Sequence, residues 1–405
     1  MKTRPAYLKI LTLVIGVSVI AIVVVVLDLN APHAMANEPA SLDQILEPIR
    51  SGNHLPALAA AVVCEGKTIA CGAVGFRKAG SPERVTLNDT WHIGSCTKSM
   101  TAALAGMMVD EGQWRWDMSV SELFPDIANK IQPGWRKATL EQFLTHFSGA
   151  GNDDSFDPGL LARSTRSPLE QRAQFINEFL IQHGPTTVPG TAWKYDNANY
   201  AVVGHALELK LKRPWETLIR ERLFTPLTMN SAGFGPPASP NAIDQPYGHV
   251  LDEEGNLKPI PPDLVGESRW VSAWGLQIRA DNPAALAPAG TVHCNIGDLA
   301  KYAAWQLCGA RGKNALLKPA TFKKLHTRFK KDCTYACGWE VDHRDWAGGD
   351  ALFHGGSNGT FMTVIWLAPK KDFAVVVCAN LGGADCQAVV DKTVGVLIQK
   401  YLVER

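Results

Sequence analysis

Apolar positions fall into short, dense runs near both ends of the chain and recur at helical spacing between them. Ala57 to Phe76 is strand-like and broken by Glu65-Gly66, a pattern that predicts a β-hairpin. The last third repeats that texture. Gly338 to Val341, Leu352 to His354, Thr360 to Leu367 and Phe373 to Ala379 are β-rich runs separated by turn residues such as Ala347-Gly348-Gly349 and Pro369-Lys370-Lys371-Asp372. They predict an antiparallel meander. Ala388 to Leu402 then returns to helical spacing and predicts a helix laid on that sheet.

The middle of the chain reads differently. Thr97 to Val109 is rich in Ala, Leu and Met, which predicts a buried helix stopped by Gly112. Thr139 caps a short helix that Gly149 closes. Asn152 to Gln182 and Tyr200 to Leu223 carry helical patterning, with a loop at Pro185 to Gly190. Pro226 to Pro262 is a long Gly- and Pro-rich insertion, either overhanging a cleft or packed as surface loop. The fold class that follows is α/β of the α+β kind. An antiparallel sheet built from N- and C-terminal segments is flanked by helices, with a mainly helical region inserted between them.

The first 36 residues stand apart from this pattern. Lys2, Arg4 and Lys9 precede an apolar run from Ile10 to Leu27, and Ala34-Met35-Ala36 offers a small-x-small cleavage site. Residues 1–36 therefore read as a signal peptide or, because the run reaches the length of a membrane span, an N-terminal anchor through residues 10–27. In both cases the basic flank keeps the N-terminus in the cytoplasm and residues 37–405 outside it, periplasmic, extracellular or membrane-anchored. Cleavage after Ala36 would leave Asn37 as the mature N-terminus.

The 405 residues are 46% hydrophobic and 20% charged with a formal net charge of +1, enough for a large core and without a basic excess that nucleic acid would require. The run Lys323-Lys324 to Lys330-Lys331 reads as a solvated face. Nine cysteines in an exported chain invite disulfides, and Cys333 with Cys337 or Cys378 with Cys386 are the pairs closest in sequence. Cys64 and Cys71 flank the hairpin, but a two-residue loop sets Cys64 opposite Lys67 instead. No Cys-x-x-Cys or His-x-x-x-His spacing occurs, so no metal or other cofactor is expected.

Chemistry concentrates in His92-Ile93-Gly94-Ser95-Cys96-Thr97-Lys98. A serine hydroxyl needs a base to take its proton and donors to hold an oxyanion. Three-residue spacing in a first helical turn sets the Lys98 amine beside the Ser95 hydroxyl. Burial and the positive helix end push that amine toward its neutral form. Tyr195-Asp196-Asn197 follows a Pro-Gly turn and offers a phenol and a carboxamide two residues apart; the competing reading is a core tyrosine beside a capping asparagine. His354-Gly355-Gly356-Ser357 joins two strand-like runs, and its glycines admit a close backbone approach. His146 ends a helix with no spacing that pairs it to a carboxylate.

In order and spacing these three motifs resemble the serine β-lactamase and penicillin-binding-protein superfamily, most closely its class C β-lactamase, DD-peptidase and esterase branch. Ser95-x-x-Lys98, Tyr195-x-Asn197 and His354-x-Gly356 carry the resemblance. Thr139 to Gly149, Leu223 to Met229, Pro288-Ala-Gly290 and Asp298-Leu-Ala300 extend it from about Leu42 to the C-terminus. It implies a covalent serine hydrolase acting on an ester or amide of a small molecule or peptide, with no cofactor. Ser95 would attack, Lys98 and Tyr195 would handle protons, and Asn197 would position Lys98 and substrate. The Ser95 and Ser357 amides would form the oxyanion hole, with His354 on the leaving-group side or against a substrate carboxylate. A His where the branch also uses Lys weakens fixed positive charge, which argues for a peptidase or esterase over an efficient β-lactamase. A non-catalytic ligand sensor on the same fold is the alternative, and the intact Ser95, Lys98 and Tyr195 speak against it. The sequence leaves oligomeric state open.

Overall fold

Seven strands form the central sheet: β1 (Ala40–Ser41), β2 (Ala57–Cys64), β3 (Lys67–Gly75), β4 (Glu340–Arg344), β5 (Gly349–Ser357), β6 (Met362–Ala368) and β7 (Phe373–Ala379), in the order β1-β3-β2-β7-β6-β5-β4. The computed structural model describes residues 38–151, 165–264, 278–313 and 316–404. The leader or anchor expected within residues 1–36 lies outside them. Among the described residues no helix is long and apolar enough to cross a membrane.

Within Pro39–Arg405, a single compact unit, β2 and β7 are the seam that joins the two ends of the chain, with Ala61 opposite Val376. Both strands are apolar on both faces, so each face must be covered. Ala57, Ala59, Ala61 and Val63 look into one core while Leu58, Ala60 and Val62 look into the other, the period of two dividing a single strand between them. The sheet is antiparallel except at its edge, where β1 pairs parallel with β3. The Glu65-Gly66 loop sets Cys64 opposite Lys67, as its length requires.

One face of the sheet is covered by α1 (Asp43–Gly52) and by the C-terminal helix, and the other by the helical region that carries the nucleophile. That region includes α2 (Thr97–Asp110), α3 (Pro168–Asn177), α4 (Ala198–Leu211) and α5 (Ile296–Ala310); the C-terminal helix α6 spans Ala384–Ile398 and continues as a π-turn to Val403. α2 is buried on all sides from Thr97 to Met108, which explains why its sequence shows no polar stripe. Capping boxes start the shorter helices: Thr139 with Gln142 and Ser167 with Glu170 each satisfy two end groups. Each cap contributes about 1 kcal/mol. The buried Arg172 of α3 reaches Glu208 of α4 at 3.1 Å and Glu216 at 2.8 Å, tying the inserted helices together.

Several expectations change. The helix expected from Tyr200 to Leu223 breaks at Lys212, which takes φ +54° before Pro214, and resumes at Trp215. Of the helix expected from Asn152, residues 152–164 lie outside the described ones. The long insertion contains a small hairpin, Gly248–Leu251 with Leu257–Ile260. Among the described residues no disulfide joins any of the nine cysteines. Cys378 and Cys386 face opposite sides of the sheet, so no bridge can join them. Cys337 is buried in the core, whereas the Cys333 sulfur accepts the Tyr335 amide.

Candidate active site

Ser95 sits in a tight turn, Gly94–Cys96, that feeds directly into α2. Gly94 takes φ +47°, and a Cβ there would collide with the Ser357 amide of β5. A Cβ on Gly356 would come within 2.8 Å of the Ser95 nitrogen. Two glycines thus let the nucleophile turn and the end of β5 pack backbone to backbone. This close approach brings the Ser95 and Ser357 amides to one corner of the cleft.

In the first turn of α2, the fully buried Lys98 amine lies 3.0 Å from Ser95 Oγ, 2.7 Å from Asn197 Oδ1 and 3.0 Å from the Ala289 carbonyl. The two carbonyl-type oxygens accept two of its hydrogens. Its remaining tetrahedral position points at Ser95, where a neutral amine carries its lone pair and an ammonium its third proton. The Tyr195 hydroxyl meets the same Ser95 oxygen at 2.7 Å. Chain segments a hundred residues apart therefore converge on one hydroxyl.

The segment bearing Tyr195 is held from behind. Asp196 Oδ1 accepts the Ala198 amide at 2.7 Å and so starts α4, while Asn197 leads that helix and reaches Lys98. His146, at φ +62°, is not a base for Ser95. Its Nδ1 accepts the Asp196 amide at 3.3 Å and the Asn199 carboxamide at 3.0 Å, and its ring lies 4.5 Å from that of Tyr195. Burial, then Lys98 and His354, hold His146 well below the ordinary histidine pKa, so it buttresses Tyr195 as a neutral ring.

His354 turns inward. Its Nδ1 donates to the Gly355 carbonyl at 2.6 Å, since a carbonyl can only accept, and its Nε2 then accepts the Tyr335 hydroxyl at 2.8 Å. Burial first, and Lys98 second, push its pKa down to about 3. The ring is therefore neutral and both nitrogens are engaged, which corrects the expectation of a group reaching toward substrate carboxylate. Along the same strand β4 pairs with β5 only as far as Phe353, opposite Glu340. Beyond that point His354 to Ser357 have no β4 partner.

A second layer was not legible in the sequence. His92 Nδ1 accepts the Gly94 amide at 3.1 Å and its Nε2 donates to Asp281 Oδ1 at 2.7 Å. Asp281 Oδ1 also accepts the Asn282 amide at 2.7 Å, and the Asn282 side chain donates to the Gly290 carbonyl at 2.6 Å, next to the Ala289 carbonyl that holds Lys98. One partly buried chain of hydrogen bonds thus runs from the nucleophile turn to the residue beside the lysine's acceptor. His92 lies within the nucleophile stretch, but nothing in spacing links it to a carboxylate 189 positions away. Among the described residues no cluster of three His, Cys, Asp or Glu is placed to hold a metal.

These groups open into a cleft of about 760 Å³ lined by Ser95, Tyr195, Asn197 and the end of β5. Fold and site together define a serine hydrolase of the acyl-enzyme class. The sequence model of the Beta-lactamase family matches residues 42–398, and the chain belongs to that family. Penicillin-binding protein 4 of Amycolatopsis lactamdurans is 24% identical over 86% of this chain and 87% of its own length. The chain spans 59% and 62% of two further, longer curated relatives. Among solved structures, the octameric penicillin-binding protein homologue of Pyrococcus abyssi superposes with TM-score 0.68 at 22% identity over 89% of this chain and 78% of that one. The D-amino acid amidase of Ochrobactrum anthropi SV3, solved with L-phenylalanine amide, superposes at 0.66 and 16% identity over 90% and 96%.

Proposed function

We propose that the protein hydrolyses an amide bond of a small peptide through an acyl-enzyme on Ser95. The observation that carries this reading is the convergence of Lys98 Nζ at 3.0 Å and Tyr195 Oη at 2.7 Å on Ser95 Oγ. As Oγ bonds to the substrate carbonyl carbon, its proton passes to the Lys98 amine, whose other hydrogens stay with Asn197 and Ala289. The carbonyl oxygen takes the negative charge facing the Ser95 and Ser357 amides. When the C–N bond breaks, Tyr195 delivers a proton to the leaving amine and is resupplied from Lys98. Water then attacks the acyl carbon and gives its proton to the same pair, which returns it to Ser95 Oγ as the acyl C–O bond breaks.

Two features support an amide over a β-lactam. The β5 edge from His354 to Ser357 lacks a β4 partner, so an extended peptide can add to it as a strand. The neutral His354 supplies no fixed cation for a lactam carboxylate. The name of the amidase that shares the fold agrees with this choice. Treatment with a fluorophosphonate, followed by mass spectrometry, should place one adduct on Ser95 and none in Ser95→Ala. On a panel of D-alanyl peptides, amino acid amides, nitrophenyl esters and a chromogenic cephalosporin, kcat/KM should be highest on an amide. No Ser95 adduct with any acylating reagent would end the hydrolase reading, and a cephalosporin leading the panel would end the amide reading.

A further inference from the structure

The same cleft continues past the nucleophile. Gly355 has no side chain, and a Cβ built there meets only Val364, at 4.0 Å. Behind this gap Phe353 and Trp366 stack at 4.3 Å with planes 11° apart, and Trp346 sets its edge on Trp366 at 5.9 Å. All three aromatic side chains are half-exposed. This platform lies on the α6 side of the sheet, opposite the nucleophile turn, and the cavity lined by Ser95 reaches it around the open edge of β5, where the half-buried rings offer an apolar surface. Phe353 stands four residues from Ser357 along β5, about 13 Å at strand rise, which is the reach of a short extended peptide.

The platform is also acidic at its rim. Glu340, paired with Phe353, and Asp391 of α6 line the same cavity. Desolvation raises the pKa of both carboxyls, Asp342 adds to the effect at Glu340, and no basic side chain acts on either among the described residues. Arg344 is occupied, 2.9 Å from Asp342 and 5.4 Å over the Trp366 ring.

We propose that this extension of the cleft is a subsite for the distal part of an oligopeptide substrate, taking a bulky apolar side chain on the Phe353–Trp366–Trp346 platform with a basic group beside it. The inference rests on the hydrolase reading above and names its substrate class. An extended chain leaves Ser95 along the open edge of β5, crosses the gap at Gly355 and places its side chain three to four residues away on the aromatic floor. The carboxylates of Glu340 and Asp391 then draw the neighbouring cation.

The test compares a dipeptide amide with a pentapeptide amide carrying Phe-Lys at the distal end, each used as substrate and as protectant of Ser95 against a fluorophosphonate. Trp366→Ala removes the floor of the platform and Trp346→Ala one edge of it. Both variants should weaken the pentapeptide about tenfold in KM and in protection while leaving the dipeptide and the labelling rate unchanged. Glu340→Gln should lower the preference for Lys over Glu beside the Phe by about threefold. Equal responses of the two peptides in both variants, or a pentapeptide no better than the dipeptide in the parent protein, would overturn the subsite. Absence of Ser95 labelling in the parent would instead overturn the hydrolase reading, so the two failures are distinguishable.

Discussion

On one wall of the cleft, Ser95, Lys98, Tyr195 and Asn197 are joined by contacts of 2.7 to 3.0 Å from two separate chain segments, and Lys98 is completely buried. On the facing wall, β5 offers backbone and two glycines, with half-buried rings around its edge on the α6 face, and its one titratable side chain near the nucleophile, His354, looks inward to Tyr335. On the first wall Ser95 Oγ, Lys98 Nζ, Tyr195 Oη and Asn197 Oδ1 answer one another, so removing one takes a partner from Ser95 or from the buried Lys98 amine, at about 1 to 3 kcal/mol or more for a charge. Apart from the Gly356–Ser357 backbone, which packs on the nucleophile turn, the second makes few such demands, and its side chains can change without disturbing the first. Proton handling is fixed by the one wall and most of substrate choice is left to the other.

The largest effect should come from removing proton transfer on the first wall. Lys98→Met keeps the length of the side chain but leaves Asn197 and the Ala289 carbonyl without their donor. Acylation of Ser95, followed as fluorophosphonate labelling rate and as kcat on the best amide, should fall about a thousandfold, and Tyr195→Phe should cost about a hundredfold. Retention of rate in both variants would erase the contrast between the walls, since Ser95 would then be reactive without its partners.

A smaller effect is expected one layer back. Asp281→Ala strands the His92 Nε2 hydrogen and releases the Asn282 amide, loosening both the Gly94 turn and the segment that carries the lysine's acceptor. Asp281 touches no substrate, so it is a positioning residue. kcat should fall about tenfold with KM unchanged, the mark of an interaction made in the transition state only. Asp281→Asn, which still offers an oxygen to both donors, should recover most of that loss. A rise in KM alone, or no rescue by Asn, would mean that the pair only stabilises the fold.

The sequence carried the two walls unequally as well. Ser95, Lys98, Tyr195 and Asn197 were legible because short spacings and turn residues fix where such side chains point, and the structure brings all four together. The sheet was legible because β2 and β7 are apolar at every position and the runs around them alternate. The His92–Asp281 link was not, because it closes over a separation that no local rule spans. His354 was misread in orientation for a similar reason: whether a strand residue's ring meets a tyrosine or a substrate depends on Tyr335, which arrives from a different loop. The disulfide expectation failed on sheet facing, since proximity in sequence does not tell that Cys378 and Cys386 lie on opposite sides.

The smallest effect concerns His354 and sharpens the comparison from the second wall. Glutamine can accept the Tyr335 hydroxyl with its oxygen and donate to the Gly355 carbonyl with its nitrogen, so His354→Gln preserves both contacts. With its pKa down at about 3, the folded-state histidine does not ionise where the enzyme works, and the pH–rate profile between about pH 5 and 9 should keep its shape in the variant. Stability should respond instead. An unfolded histidine binds a proton below about pH 6.5 whereas the folded one stays neutral to about 3, so the folded state loses ground as pH falls through that window, at about 1.4 kcal/mol per pH unit for each such group. His249 and His326, lowered to about 4 and about 3 by burial, act in the same direction. Urea unfolding from pH 7 to 4 should therefore show an acid slope smaller by about one proton in His354→Gln, and not a flat one. If the variant removes the acid limb of kcat/KM while the unfolding slope stays put, His354 titrates in the reaction, and the second wall takes part in the chemistry after all.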